Sequence, residues 1–255
     1  MATDAIPMTG KGWLLEKLTW VQAESVLAPA TVVVIPLGAA AKEHGPHLRL
    51  NNDWTIAEYL VGRVLDVAPV IVTPTVGYHY YPAFTEYPGS VTLRLETARD
   101  LMIDICESLS AFGPRRFYAL NTGVSTVRAL RPAAEVLAER GVLLRYTDIQ
   151  AVGRAAVDGI RQQAGGTHAD EIETSLMLYV APQSVDMRKA ARDYHPGSGR
   201  LTRTPGPEGI YSPTGIYGDA TLANRDKGSA IADAMTRGIL DDIARLREEP
   251  LPRRD

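Results

Sequence analysis

The sequence predicts an α/β fold, a single-domain layered sandwich around a mainly parallel sheet. Three observations predict it. Two runs, TVVVIPLG at 31–38 and APVIVTPTVGY at 68–78, are continuously apolar and rich in β-branched residues, the pattern of strands buried on both faces. Over residues 54–65 apolar side chains recur at helical spacing, so strand, loop, helix and strand succeed one another as in a crossover between parallel strands. The 255 residues are 45% apolar and 22% charged, a composition that supports one sizeable core without a fibrous repeat or a disordered tract.

In chain order, WLLEKLTWVQAESVLA is an amphipathic opening, followed by the strand at 31–38, the helix at 54–65 and the strand at 68–78. A helix over 97–112 precedes the strand RRFYALN, which runs through NTGVST into a helix at 127–140 closed by Gly141. VLLRYTDI reads as a fourth strand and EIETSLMLYVAP as a short helix stopped by Pro182. Residues 192–219, rich in Gly, Pro and Tyr, read as irregular connections over one edge, and 227–249 as a terminal helix. One domain over residues 1–255 is expected, with 1–12 and 250–255 as loose tails.

Net charge is −3 with the basic residues dispersed, which argues against nucleic acid as a partner. The single cysteine, Cys106, lies in an apolar helical stretch and reads as a core residue. No apolar run approaches the roughly 20 residues that cross a bilayer, and the N-terminus lacks the pattern of a signal peptide, so no membrane partner and a cytoplasmic location are expected.

Three segments carry candidate chemistry. AAAKEHGPHLRLNND places Glu43, His44, His47 and Asp53 in a loop directly after a buried strand, where ligands of α/β sheets bind. Imidazole and carboxylate together suit zinc, manganese or iron(II), while a solvated loop with Asp53 capping the next helix is the plain alternative. In THADEIETS, His168 precedes a helix whose first turns hold Asp170, Glu171 and Glu173; acidic residues there also complement the helix dipole. GYHYYPAFTEYPGSV offers rings that would wall a small pocket or serve an oligomer contact, with His79 and Glu86 as polar contributors.

Together these segments resemble the creatininase family of amidohydrolases. IPLGAAAKEHGPHLRLNND is similar to that family's P-x-G strand end followed by its E-x-H-G-P-H loop and Asp. PGS, HADEIETSLML and GIYGDATLANRDKG follow as counterparts of later family motifs, in the same order from about residue 32 to 228. The resemblance implies a creatininase-like layered domain, assembly as a homo-oligomer, commonly a hexamer, and hydrolysis of small amides with two divalent metals. It implies that His44 binds one ion, Asp53 bridges, His168 is the catalytic-site histidine, and Glu173 matches the Glu before Thr-Ser. Two departures stand out. Lys42 occupies the place of the family's first Glu, with Glu43 adjacent, and Gly123 stands where the family's N-G-H loop supplies a histidine.

The expectation is therefore a metal-dependent hydrolase of a C–N bond in a small amide, lactam or imide, attacked by metal-activated water. Candidate catalytic residues are His168, Glu43 and Lys42, the last as a stand-in for an ion's charge or as a stabiliser of an oxyanion. Candidate ligands of one or two Zn, Mn or Fe ions are His44, Asp53, Glu43 and Glu173, with His47 a replacement. Candidate substrate contacts are Ser125, Tyr78, Tyr80 and His47. The departures keep two other readings open: a metal-free lyase, cyclase or isomerase using Lys42, Glu43 and His168, and a non-catalytic protein that binds a small molecule.

Overall fold

A computed structural model describes residues 8–253. Its elements are β1 Trp13–Leu14, α1 Trp20–Val26, β2 Val32–Leu37, α2 Asn52–Leu65, β3 Ile71–Val72, α3 Leu95–Ser110, β4 Arg116–Asn121, α4 Val127–Glu139, β5 Leu143–Tyr146, α5 Arg154–Ile160 and α6 Glu171–Val180. The short strands β6 Arg192–Asp193, β7 Leu201–Thr202, β8 Ile210–Tyr211 and β9 Gly218–Asp219 follow, then α7 Arg225–Glu248. The main sheet is parallel throughout, in the order β1-β3-β2-β4-β5.

β2 lies at its centre, and all six residues are buried, as the unbroken VVVIPL run requires. Side chains alternate across the pleat. Val32 and Val34 therefore join Tyr118 and Leu120 of β4 beneath α2, α6 and α7. Val33, Ile35 and Leu37 join Phe117 and Ala119 on the opposite face, covered by α3 and α4. Truncating a side chain such as Ile35 to alanine in such a layer costs about 2–5 kcal/mol.

Some expectations need correction. β3 is only two residues long, because Pro74 lacks the N–H that would continue the ladder; the chain then touches β2 again at one bridge, Leu37 to Val76. Trp13 and Leu14, read as part of an amphipathic opening with no strand assigned, form the edge strand against Ile71 and Val72. α5 lies where no helix is expected, since its residues RAAVDGI carry no side-chain cap and an internal glycine. Residues 192–219 are partly ordered into pairs: β6 with β9 antiparallel, and β7 with β8 parallel.

Of the expected tails, residues 1–7 and 254–255 lie outside the described residues. Nearer the core, the Lys11 amide donates to the Leu65 carbonyl, Leu251 packs on the core, and the Pro252 carbonyl accepts from Arg115. The register Leu37 to Asn121 sets the carboxyl ends of β2 and β4 side by side, so the loops at 38–51 and 122–126 meet above them.

Candidate active site

The loop after β2 turns back on itself. The Lys42 amide donates to the Leu50 carbonyl, and the Trp54 amide to the Ala39 carbonyl. This brings Lys42, Glu43 and His44 over Asp53, which sits in the first turn of α2. His44 Nε2 lies 2.8 Å from Asp53 Oδ1, and Lys42 Nζ 2.6 Å from Asp53 Oδ2. All three residues are buried. Burial alone would raise the Asp53 carboxyl, but the Lys42 ammonium and His44 outweigh it and hold it below the usual carboxylate range. For Lys42 burial works downward, and Asp53, Glu173 and Glu43 more than reverse it, so the ammonium is stabilised above its ordinary value.

His168 arrives from the far side of the fold. It precedes α6, whose N-cap Asp170 accepts from the amides of Ile172 at 2.9 Å and Glu173 at 3.0 Å. Between them Ala169 has φ 48°, a left-handed backbone costly for a residue with a Cβ. The Ala169 amide donates to Glu173 Oε2 at 2.5 Å, and His168 Nδ1 lies 3.6 Å from the same oxygen. His168 Nε2 is 3.0 Å from Glu43 Oε2. Burial pulls the His168 imidazole down, yet the Glu43 carboxylate outweighs it and raises its pKa; His168 in turn lowers Glu43 against that residue's own burial.

Glu43 keeps its place because residue 215 is glycine. Its other oxygen accepts from the Gly45 amide, and a Cβ on Gly215, at φ +80°, would sit 2.0 Å from Glu43 Oε1.

The His44 and His168 rings are 4.9 Å apart. One ligand atom each from His44, His168 and Glu173 lie within 4.8 Å of one another. Both imidazoles are ringed by acceptors. His44 faces the Lys42 carbonyl through Nδ1 at 2.9 Å and Asp53 through Nε2, while His168 faces Glu173 and Glu43. A neutral imidazole has only one N–H to donate, so each ring needs a second proton or a cation on its other nitrogen. The charge inventory agrees. With both imidazoles neutral, Glu43, Asp53 and Glu173 against Lys42 leave two negative charges in a mostly buried cluster, the charge that one divalent ion offsets.

A cavity of about 550 Å³ opens onto this cluster, with Lys42, His168 and Glu173 in its wall beside Tyr81, Phe84 and Ser125. Phe84 stacks against His168 at 4.3 Å and lies 4.9 Å from Lys42 Nζ. The structure therefore brings Lys42, Glu43, His44, Asp53, His168 and Glu173 together.

Other expected residues lie elsewhere. Tyr78 is half exposed and outside the cavity, and the Tyr80 ring faces Arg128, its carbonyl accepting from Ser125 Oγ at 2.8 Å. The wall aromatics are instead Tyr81 and Phe84 of the same loop, with Tyr217, and the sequence pattern carries no signal that separates them from Tyr78 and Tyr80. His47 is buried against Thr174, with Nε2 2.8 Å from its hydroxyl, and does not reach the cavity. His79 is wholly buried in the core, Glu86 pairs with Arg200, and Glu171 accepts the Lys227 ammonium of α7.

Gly123 sits in a closed turn. Asn121 bonds to the Gly123 amide at 3.0 Å and its carbonyl at 2.7 Å, and a Cβ on Gly123 would meet Thr126 Cγ2 at 2.9 Å.

Comparison with known proteins bears on this arrangement. The family model for creatininase, creatinine amidohydrolase, matches residues 16–243. A mycofactocin precursor peptide peptidase of Mycobacterium ulcerans (strain Agy99) is 28% identical over 229 residues, covering 86% of each chain. Creatinine amidohydrolase of Pseudomonas putida is 28% identical over 264 residues, covering 91% of this chain and 96% of that one. A solved structure named "Creatininase Mn" superposes with a TM-score of 0.76 at 24% identity over 91% of this chain and 97% of its own, a likeness of fold. The chain belongs to the creatininase family of amidohydrolases.

Proposed function

We propose that the protein hydrolyses the C–N bond of an amide, using one divalent ion held by His44, His168 and Glu173, with the Lys42 ammonium as the second positive charge. The observation that carries this reading is the pair of buried imidazoles, each ringed by acceptors, beside Glu173 at the cavity wall. A nitrogen and carboxylate donor set of this kind suits zinc, manganese or iron(II). His168 has the partner expected of a ligating histidine, a carboxylate on its other ring nitrogen. A second ion lacks ligands among the described residues. Asp53 already faces His44 and Lys42, residue 123 offers no side chain, and Ser125 donates to Tyr80.

A divalent ion, when bound, supplies a nucleophile at neutral pH by lowering the pKa of water towards about 7. The chain's own residues do the rest. Tyr81 and Phe84 exclude water, Lys42 Nζ presents a fixed positive charge to the carbonyl oxygen as it becomes an oxyanion, and Glu43 holds the proton on His168 Nε2. Assembly of several copies, a hexamer by resemblance, is supported by the exposed Trp20 and Phe112, at 77% and 65%. No helix among the described residues is long and apolar enough to cross a membrane.

Elemental analysis of protein purified without chelator tests the reading. One ion per chain is expected, lost in His44→Ala and Glu173→Ala, together with amide cleavage that exhaustive chelation abolishes and one equivalent of metal restores. Cleavage that persists after chelation would sink it and favour a second reading, acid–base chemistry by Lys42, Glu43 and His168. That reading is supported by the Glu43–His168 pair, which favours the protonated form of the imidazole.

A further inference from the structure

α5 and the residue after it contribute Arg154, Val157 and Arg161 to the wall of the cavity that holds Lys42, His168 and Glu173. Arg154 and Val157, at i and i+3, share one face of α5, and Arg161 follows directly after the helix in an extended conformation. Arg154 is paired with Asp158 of its own helix at 2.8 Å on the exposed side. Arg161 has no carboxylate within ion-pair distance among the described residues. The other charged groups in the wall are Lys42, Asp170 and Glu173. Asp170 is engaged by the amides of Ile172 and Glu173 and by Gln163, and Glu173 faces Ala169 and His168. The Arg161 guanidinium is thus left without a carboxylate partner among the described residues, while Arg154 shares its charge with Asp158. Phe84, Ile172, Leu201 and Ile210 add apolar surface to the same wall. At about 550 Å³ the space falls in the range of pockets that hold drug-sized ligands, and a single small ring would leave most of it empty.

We propose that Arg161, assisted by Arg154, is a carboxylate-binding site that selects amides of N-acylated amino acids. The substrate's carboxylate takes the guanidinium fork, its side chain lies on Phe84, Leu201 and Ile210, and its amide reaches Lys42 and His168. A guanidinium matches a carboxylate by two parallel hydrogen bonds, which fixes orientation as well as charge. The shared chemistry is an acylated amino acid with a free carboxylate, whether a free metabolite or the C-terminal residue of a peptide. The position of the scissile bond rests on the hydrolase reading above; the carboxylate site does not.

Calorimetric titration of the metal-loaded protein separates the two. The probes are N-acetylphenylalanine, its uncharged carboxamide, and acetyl-dialanyl-phenylalanine with a free C-terminus. The free acids are expected to bind at least tenfold more tightly than the carboxamide. In Arg161→Gln, and more fully in Arg154→Gln/Arg161→Gln, that advantage falls below twofold while carboxamide binding is unchanged, which also reports an intact cavity. A tighter tripeptide identifies a peptide end as the source, and equal affinity of the two acids a free acylated amino acid. Equal affinity of acid and carboxamide, an advantage that survives the double substitution, or no binding of any probe overturns the proposal. Cleavage assayed on the same probes distinguishes the failures: preference without cleavage sinks the hydrolase reading alone, and cleavage without preference sinks the arginine site alone.

Discussion

Lys42 and Asp53, eleven positions apart in the chain, form an ion pair 2.6 Å long with side chains 7% and 1% exposed, at the end of the central strand. The ammonium occupies the face of the carboxylate that His44 leaves open.

Lys42→Met is expected to destabilise the protein by about 3–5 kcal/mol, because it leaves a buried carboxylate with one partner fewer. Urea denaturation measures this, and a double-mutant cycle with Asp53→Asn should return a coupling of at least about 1 kcal/mol. Additive effects would show that the pair is solvated in solution.

Gly123→His places a histidine where the resemblance implies one, and it is expected to destabilise the turn without adding an ion. Its Cβ would meet Thr126 Cγ2 at 2.9 Å and Oγ1 at 3.1 Å, with Tyr81 Cε1 at 3.5 Å. Overpacking of that kind costs about 1–3 kcal/mol. Metal content should stay at one ion per chain, and a rise to two would refute the account of the closed Asn121–Thr126 turn.

Gly215→Ala should disable the site from outside the cavity. The new methyl would overlap the Glu43 carboxylate, and the backbone there is left-handed, so Glu43 must swing off His168. An activity loss of tenfold or more is expected, with a stability loss on the order of 1–3 kcal/mol. Wild-type turnover in this variant would show that Glu43 does not position His168.

Acid sensitivity should come partly from His79. Burial pushes its imidazole down to about 4, and the Ala98 backbone opposes that only in part. Above the ordinary value near 6.5 the ring is neutral in both states and contributes nothing. As pH falls from about 6.5 to about 4 the unfolded chain takes up a proton that the folded one refuses, so stability drops by on the order of 3 kcal/mol. Denaturation curves between pH 7.5 and 4.5 should be flatter for His79→Leu than for wild type. A slope remains from His47, which burial also pushes down to about 4. Parallel slopes would remove His79 from the account.

The sequence by itself determined the sheet, the order of its main helices and the two loops that carry the chemistry. Val32 to Leu37 is apolar without alternation, the pattern of a strand covered on both faces; Asp170, placed by the sequence among the acidic residues of the first turns, proves to be the N-cap of α6. Tertiary structure alone decided the partners. Asp53 faces Lys42 and His44 because a loop folds back over the first turn of α2, and Glu43 meets His168 across 125 positions because Gly215 leaves room for its carboxylate. Spacing along a chain fixes which side chains share a face of one element. It does not fix the direction in which a loop returns, or which of two neighbouring carboxylates a distant imidazole will meet; those follow from the packing of elements against one another.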